Sequence, residues 1–102
     1  MNLSELRNAG AFISAEPVKV AVEWKDYTFD VHVKRLSFGD VESLFATDDR
    51  SRSARMIAAA VLLGENKEPI SYADAYALDV SLATKLIEAF NSVNGNGAQA
   101  GN

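Results

Sequence analysis

The chain has 102 residues, no cysteine and a formal net charge of −4, with 48% hydrophobic and 24% charged residues. That balance excludes an intrinsically disordered chain, a disulfide-stapled fold and a thiolate metal site, and it fits a reducing cytoplasm. A chain of 11.0 kDa reduces roughly 16,000 Å² of extended surface to roughly 5,600 Å² on folding, enough for one modest core in one domain.

The opening residues, "MNLSELRNAGAF", have neither a basic leader nor a continuous apolar stretch, so no signal peptide is expected. The longest apolar run, Met56 to Leu63, falls far short of the ~20 residues that span a bilayer. The expectation is a soluble, unexported protein with no membrane partner. Its acidic balance argues against nucleic acid, because neutralising phosphates takes concentrated positive charge.

Leu3 to Ala9 can form a brief helix, and Pro17 precedes the first strand. From Val18 to Lys34 the residues alternate. Val18, Val20, Val22 and Trp24 share one parity, and Tyr27, Phe29, Val31 and Val33 share the matching one. A two-residue turn at Lys25-Asp26 pairs Trp24 with Tyr27, Val22 with Phe29, Val20 with Val31 and Val18 with Val33, all on one apolar face. Lys-Asp is not favoured turn chemistry, so the turn type stays open, and a four-residue loop would keep the same parity.

Ser37 and Asp40 then resemble a capping box with Asp in the usual Glu or Gln place, starting a helix through Val41, Leu44 and Phe45. Asp48 or Asp49 is expected to cap the next helix, which runs from Arg55 to Leu63 and stops at Gly64. "ENKEP" reads as a loop, with Pro69 setting its exit. Ser71 and Asp74 repeat the capping pattern before "YADAYAL". Val80, Leu82, Ala83, Leu86, Ile87, Phe90 and Val93 trace the apolar stripe of a last helix. Asn94 to Asn102 carries three glycines and no large apolar residue, which reads as a flexible Asn/Gly-rich tail. The expected architecture is α+β: residues 1–93 form a single domain, a β-hairpin packed on three to four helices, and 94–102 form the tail. A two-stranded sheet leaves edges open to a second copy.

Few residues offer chemistry. His32, the single histidine, falls on the polar side of its strand, opposite Lys19 and near Asp30, with no nucleophile or second ligand implied. Asp48, Asp49, Glu65 and Glu68 stand where helix caps and solvated loops place acids. Arg50, Arg52 and Arg55 form the one basic cluster, and it lies beside Asp48 and Asp49, without the aromatic interleaving of a nucleic-acid surface. No catalytic set, metal site or cofactor is expected. "MIAAAVLLG" is apolar almost all round, so it is either central to the core or partly open to a partner. Met56, Ile57, Ala60, Val61 and Leu63 are the expected partner-binding patch.

Three blocks, "VEWKDYTFDVHVKRLSFGD", "SRSARMIAAAVLLGE" and "ISYADAYALDVSLATKLIEAFNSVNG", together resemble the tail assembly chaperones of long-tailed, non-contractile lambdoid phages. The resemblance covers Val18 to Gly95 and contains no catalytic signature. It implies a non-enzymatic protein that acts in the host bacterial cytoplasm while the tail is built and is absent from the mature virion. Members bind and solubilise the tape measure protein and help recruit tail tube subunits to it. Their gene typically makes two products by programmed frameshifting near its 3′ end, and the longer one carries an extension that contacts the tail tube protein. The resemblance implies that this chain is the short, non-frameshifted form. Coating a long tape also requires many copies side by side, hence self-association. Two other readings fit less well: a small structural tail or head-tail joining protein retained in the virion, and a small DNA-binding regulator using Arg50 to Arg55.

Overall fold

A computed structural model describes residues 1–13, 16–44 and 51–95. These residues form five helices and four strands, an α+β arrangement whose antiparallel sheet has the order β1-β2-β3-β4. The sheet is thus twice the width of the expected hairpin.

The hairpin itself forms in the anticipated register. Strand β1 (Val18–Trp24) pairs with β2 (Tyr27–Val33) through Val18↔Val33, Val20↔Val31, Val22↔Phe29 and Trp24↔Tyr27. Lys25 adopts φ 56°, the positive φ that a two-residue hairpin turn needs at its first position. Trp24 and Tyr27 stack with centroids 6.1 Å apart, and the Lys25 ammonium lies 4.7 Å from the Trp24 ring centroid. Aromatic and cation contacts at the tip therefore compensate for unfavourable turn chemistry.

Helix α1 (Leu3–Asn8) is closed by a reciprocal box in which Asn2 Oδ1 accepts from Glu5 N–H at 2.9 Å and Glu5 Oε1 accepts from Asn2 N–H at 3.1 Å. None of its residues is buried. Helix α2 (Phe38–Leu44) starts at the predicted box: Ser37 N–H donates to Asp40 Oδ2 and Asp40 N–H to Ser37 Oγ, both at 3.1 Å. Phe45, expected to continue it, lies outside the described residues, as do Asp48 and Asp49.

The next segment departs from the sequence reading in two ways. Helix α3 (Arg52–Ala60) is capped by Ser51, whose Oγ accepts from Ala54 N–H at 3.2 Å, so neither aspartate is its N-cap. It also ends three residues early. Val61 turns to extended backbone (φ −96°, ψ 124°), and Val61–Leu63 becomes strand β3, paired with β2 through Val33↔Val61, His32↔Leu62 and Val31↔Leu63. A short apolar run supports helix or strand equally well by pattern. The open edge of β2 decides it, since the strand satisfies backbone groups that a longer helix would leave unpaired. Gly64 (φ 69°) and Lys67 (φ 54°) then reverse the chain into β4 (Glu68–Pro69). "ENKEP" is accordingly a tight hairpin turn with an edge strand, where Pro69 has no inner ladder to break.

Ser71 Oγ accepts from Asp74 N–H at 3.1 Å to begin α4 (Tyr72–Tyr76). Asp79 caps α5 (Val80–Asn94). Phe90, Ile57, Leu86, Val31, Val33 and Val61 are the largest fully buried side chains, so α3 and α5 meet the inner face of the sheet around Phe90. Val80 leaves the α5 stripe and is 79% exposed. Asn94, assigned to the tail by its sequence, is the last residue of α5. Its side chain accepts from Leu36 N–H at 2.8 Å and donates to Lys34 C=O at 3.1 Å. Gly95, the next residue of that tail, caps the C-terminus of α5, and residues 96–102 lie outside the described residues.

Candidate interaction surface

The expected partner patch is divided by the fold. Met56, Ile57 and Ala60 point from α3 into the core and Val61 joins them from β3, with exposures of 3%, 1%, 0% and 0%. Leu63 keeps partial exposure at the sheet. The chain's own sheet and α5 occupy the space that an outside helix would need to reach the first four.

His32 is half-buried on the sheet face away from the helices, between Lys19 on β1 and Leu62 on β3. Lys19 Nζ lies 3.8 Å from Asp30 Oδ2, an exposed pair. This is the strand histidine anticipated from parity. Leu62, by contrast, is buried on that outer face at 8% exposure, which the helical reading of its segment could not foresee. No group of three or more potential metal-ligating side chains occurs among the described residues.

One member of the basic cluster, Arg55, takes a structural part. Arg55 donates from Nη2 to Ser43 C=O at 3.0 Å, tying α3 to α2, and Arg50 lies outside the described residues. Glu65 and Glu68 are exposed on the β3–β4 hairpin. Among the described residues, the one carboxylate displaced from its ordinary range is Asp79, held low chiefly by the hydrogen bond from the Ser81 hydroxyl and then by Ser81 N–H. The Ser81 hydroxyl in turn accepts from Trp24 Nε1 at 2.8 Å. This relay caps α5 and fastens it to the hairpin, so a helix cap explains the shift and no reaction is implied.

An apolar groove of about 280 Å³ lies elsewhere, between α3, α4 and α5. Leu78, Ala83 and Ile87 contribute partly exposed apolar lining, while Tyr76 and Val80, 69% and 79% exposed, stand on its margin. Tyr72 fixes α4 against α3: its hydroxyl accepts from Ser51 N–H at 2.8 Å, and its ring stacks on Tyr76 with centroids 5.9 Å apart. The sequence signal for this groove is Tyr76 and Val80 flanking the α4–α5 turn, although Val80 also fits the apolar period of α5. Further exposed apolar side chains, Leu3, Phe12 and Ile13, lie in the N-terminal segment, where the Arg7 guanidinium sits 4.8 Å from the Phe12 ring centroid.

The family model described as phage tail assembly chaperone, TAC, matches residues 4–94, and the chain belongs to that family. No curated protein and no solved structure matches it. Among the described residues no helix is long and apolar enough to cross a membrane.

Proposed function

We propose that the chain is a non-enzymatic chaperone that binds and solubilises the tape measure protein in the host bacterial cytoplasm, helps recruit tail tube subunits, and is absent from the mature virion. The observation that carries this reading is the α3–α4–α5 groove, apolar inside and bordered by exposed Tyr76 and Val80. An amphipathic helix recognises its partner by laying an apolar face into a groove of this kind. A tape measure is a long helix whose apolar surface would aggregate before the tube encloses it, and the net charge of −4 helps to keep such a complex soluble. The family's place in tail assembly supports the non-enzymatic part of the reading. The sequence blocks resembling lambdoid chaperones support its being the short product of a frameshifting gene, with the longer product making the main contact to the tail tube protein.

Co-expression with the tape measure protein of the same phage tests the reading. The expected result is a soluble complex that co-purifies, with the chaperone undetected by mass spectrometry of purified virions. A tape measure protein that stays equally insoluble overturns the binding role. Stoichiometric chaperone in the virion would instead favour a structural tail or joining protein.

A further inference from the structure

Strand β1 ends the sheet, and its outer edge pairs with no other strand among the described residues. The ladder on its inner side fixes which backbone groups face outward. Lys34 N–H donates to Ala60 C=O at 2.8 Å, so the even-numbered residues of β2 bond toward β3 and the odd-numbered ones bond toward β1. Through the pairs Val18↔Val33, Val20↔Val31 and Val22↔Phe29, the even positions of β1 are then engaged with β2. The N–H and C=O groups of Lys19, Ala21 and Glu23 point away from the sheet, and these residues are exposed.

We propose that this edge joins two copies of the chain through antiparallel β1–β1 pairing with Ala21 on the two-fold axis. In that register Ala21 faces Ala21 of the second copy, Lys19 faces Glu23 of the second copy, and Glu23 faces Lys19 of the second copy. All three pairs use the outward backbone groups, and the two Lys19–Glu23 pairs place opposite charges directly across from one another, a favourable cross-strand arrangement. Val20 meets Val22 of the second copy on the helix-facing side, continuing the apolar inner face.

Neighbouring registers of the same parity are worse. Moving the axis to Val22 sets Lys19 against Lys25 of the second copy. Moving it to Val20 sets Glu23 against Pro17 of the second copy, which has no N–H to give. Beside the edge, a groove of about 440 Å³ runs between β1 and α5, lined by Val22, Lys85, Glu88 and Ser92 among others. Lys85 and Glu88 already pair at 4.0 Å, so the helix flanking the seam is locally charge-balanced. The product is one continuous eight-stranded sheet with a closed, isologous interface, and the inference stands independently of what the chain chaperones.

Sedimentation velocity on the full chain over a concentration series tests the pairing. The wild type is expected to pass from monomer to dimer as concentration rises. Lys19→Glu and Glu23→Lys, each of which sets like charges across the seam twice, should weaken dimerisation by about tenfold or more. An equimolar mixture of these two variants should recover the dimer, because every cross-seam pair is again opposite in sign. Ala21→Pro removes an N–H that bonds only across the seam, and it should abolish the dimer while circular dichroism stays unchanged. A wild type that remains monomeric throughout, or a dimer indifferent to both charge variants, overturns the proposal.

Discussion

Asn94 is hydrogen-bonded across 58 residues to Leu36: its Oδ1 accepts from the Leu36 backbone N–H at 2.8 Å, while its Nδ2 donates to Lys34 C=O at 3.1 Å. One amide side chain at the end of α5 thus satisfies both kinds of backbone group where the chain leaves β2 for α2. An amide is suited to this because it carries a donor and an acceptor together. Asn94→Ala leaves a part-buried N–H without its partner and should cost about 1–3 kcal/mol. Asn94→Asp keeps the acceptor, loses the donor, and adds negative charge at a helix C-terminus, so it should not rescue the loss. Urea denaturation measures both, and unchanged midpoints would mean that the link contributes nothing.

The link at the other end of α5 makes stability depend on acid. Hydrogen bonds from Ser81 hold the Asp79 carboxyl below its ordinary range in the folded state. Between the folded value and the ordinary one, the unfolded chain binds the extra proton, so stability rises with pH in that window. The contribution is fully present above the ordinary carboxylate range and is lost as pH falls through the lowered folded value. Asp79→Asn should flatten this part of a melting-temperature profile, measured from neutral pH to strong acid. An unaltered acid limb would assign the dependence to other carboxylates.

Trp24 joins the same link from the hairpin, donating from Nε1 to Ser81 Oγ at 2.8 Å. Ser81→Ala removes that acceptor together with the hydroxyl that supports Asp79. The expected loss is about 0.5–1.5 kcal/mol. Trp24 fluorescence should shift along with the denaturation midpoint. Retention of both the wild-type emission maximum and the midpoint would show that this contact does not hold the hairpin on the helix.

Core and groove residues should separate cleanly. Phe90 and Ala60 are each 0% exposed. Phe90→Ala should cost about 3–5 kcal/mol through lost burial and the cavity left behind. Ala60→Asp forces a carboxylate into the same closed space with no partner and should prevent stable folding. A native-like melting temperature for Ala60→Asp would contradict the burial of α3.

Tyr76→Asp and Val80→Asp alter side chains that are mostly in solvent, so their thermal midpoints should stay near that of the wild type. If the groove receives an apolar helix, either change should weaken capture of the tape measure protein at least about tenfold, since an uncompensated charge then becomes buried. Pull-down together with calorimetry decides it. Wild-type capture by both variants would move the contact to another surface.

Local rules carried the sequence reading a long way. The hairpin register was legible because a period of two, once one face is apolar, leaves a single alignment that buries it. The starts of α2 and α4 were legible from Ser37–Asp40 and Ser71–Asp74, whose caps depend only on neighbours three residues away. The partner patch was not legible to the same degree. Met56, Ile57, Ala60 and Val61 looked available because the run is apolar all round, yet the quantity that matters is which elements surround it.

By itself, then, the sequence determined the α+β class, the β1–β2 alignment, the side of the sheet that carries His32, and the existence of α5. All follow from short-range periodicity and capping. The tertiary structure decided where α3 stops, that Val61–Leu63 joins the sheet, that Asn94 is bonded into the domain, and that Val80 faces solvent beside Tyr76. Each of these depends on a partner far away in the chain, whether the open edge of β2, the backbone of Lys34 and Leu36, or the packing of α5 against α3. No local pattern encodes contacts of that kind, because the same residues satisfy more than one backbone until distant groups become available to pair with them.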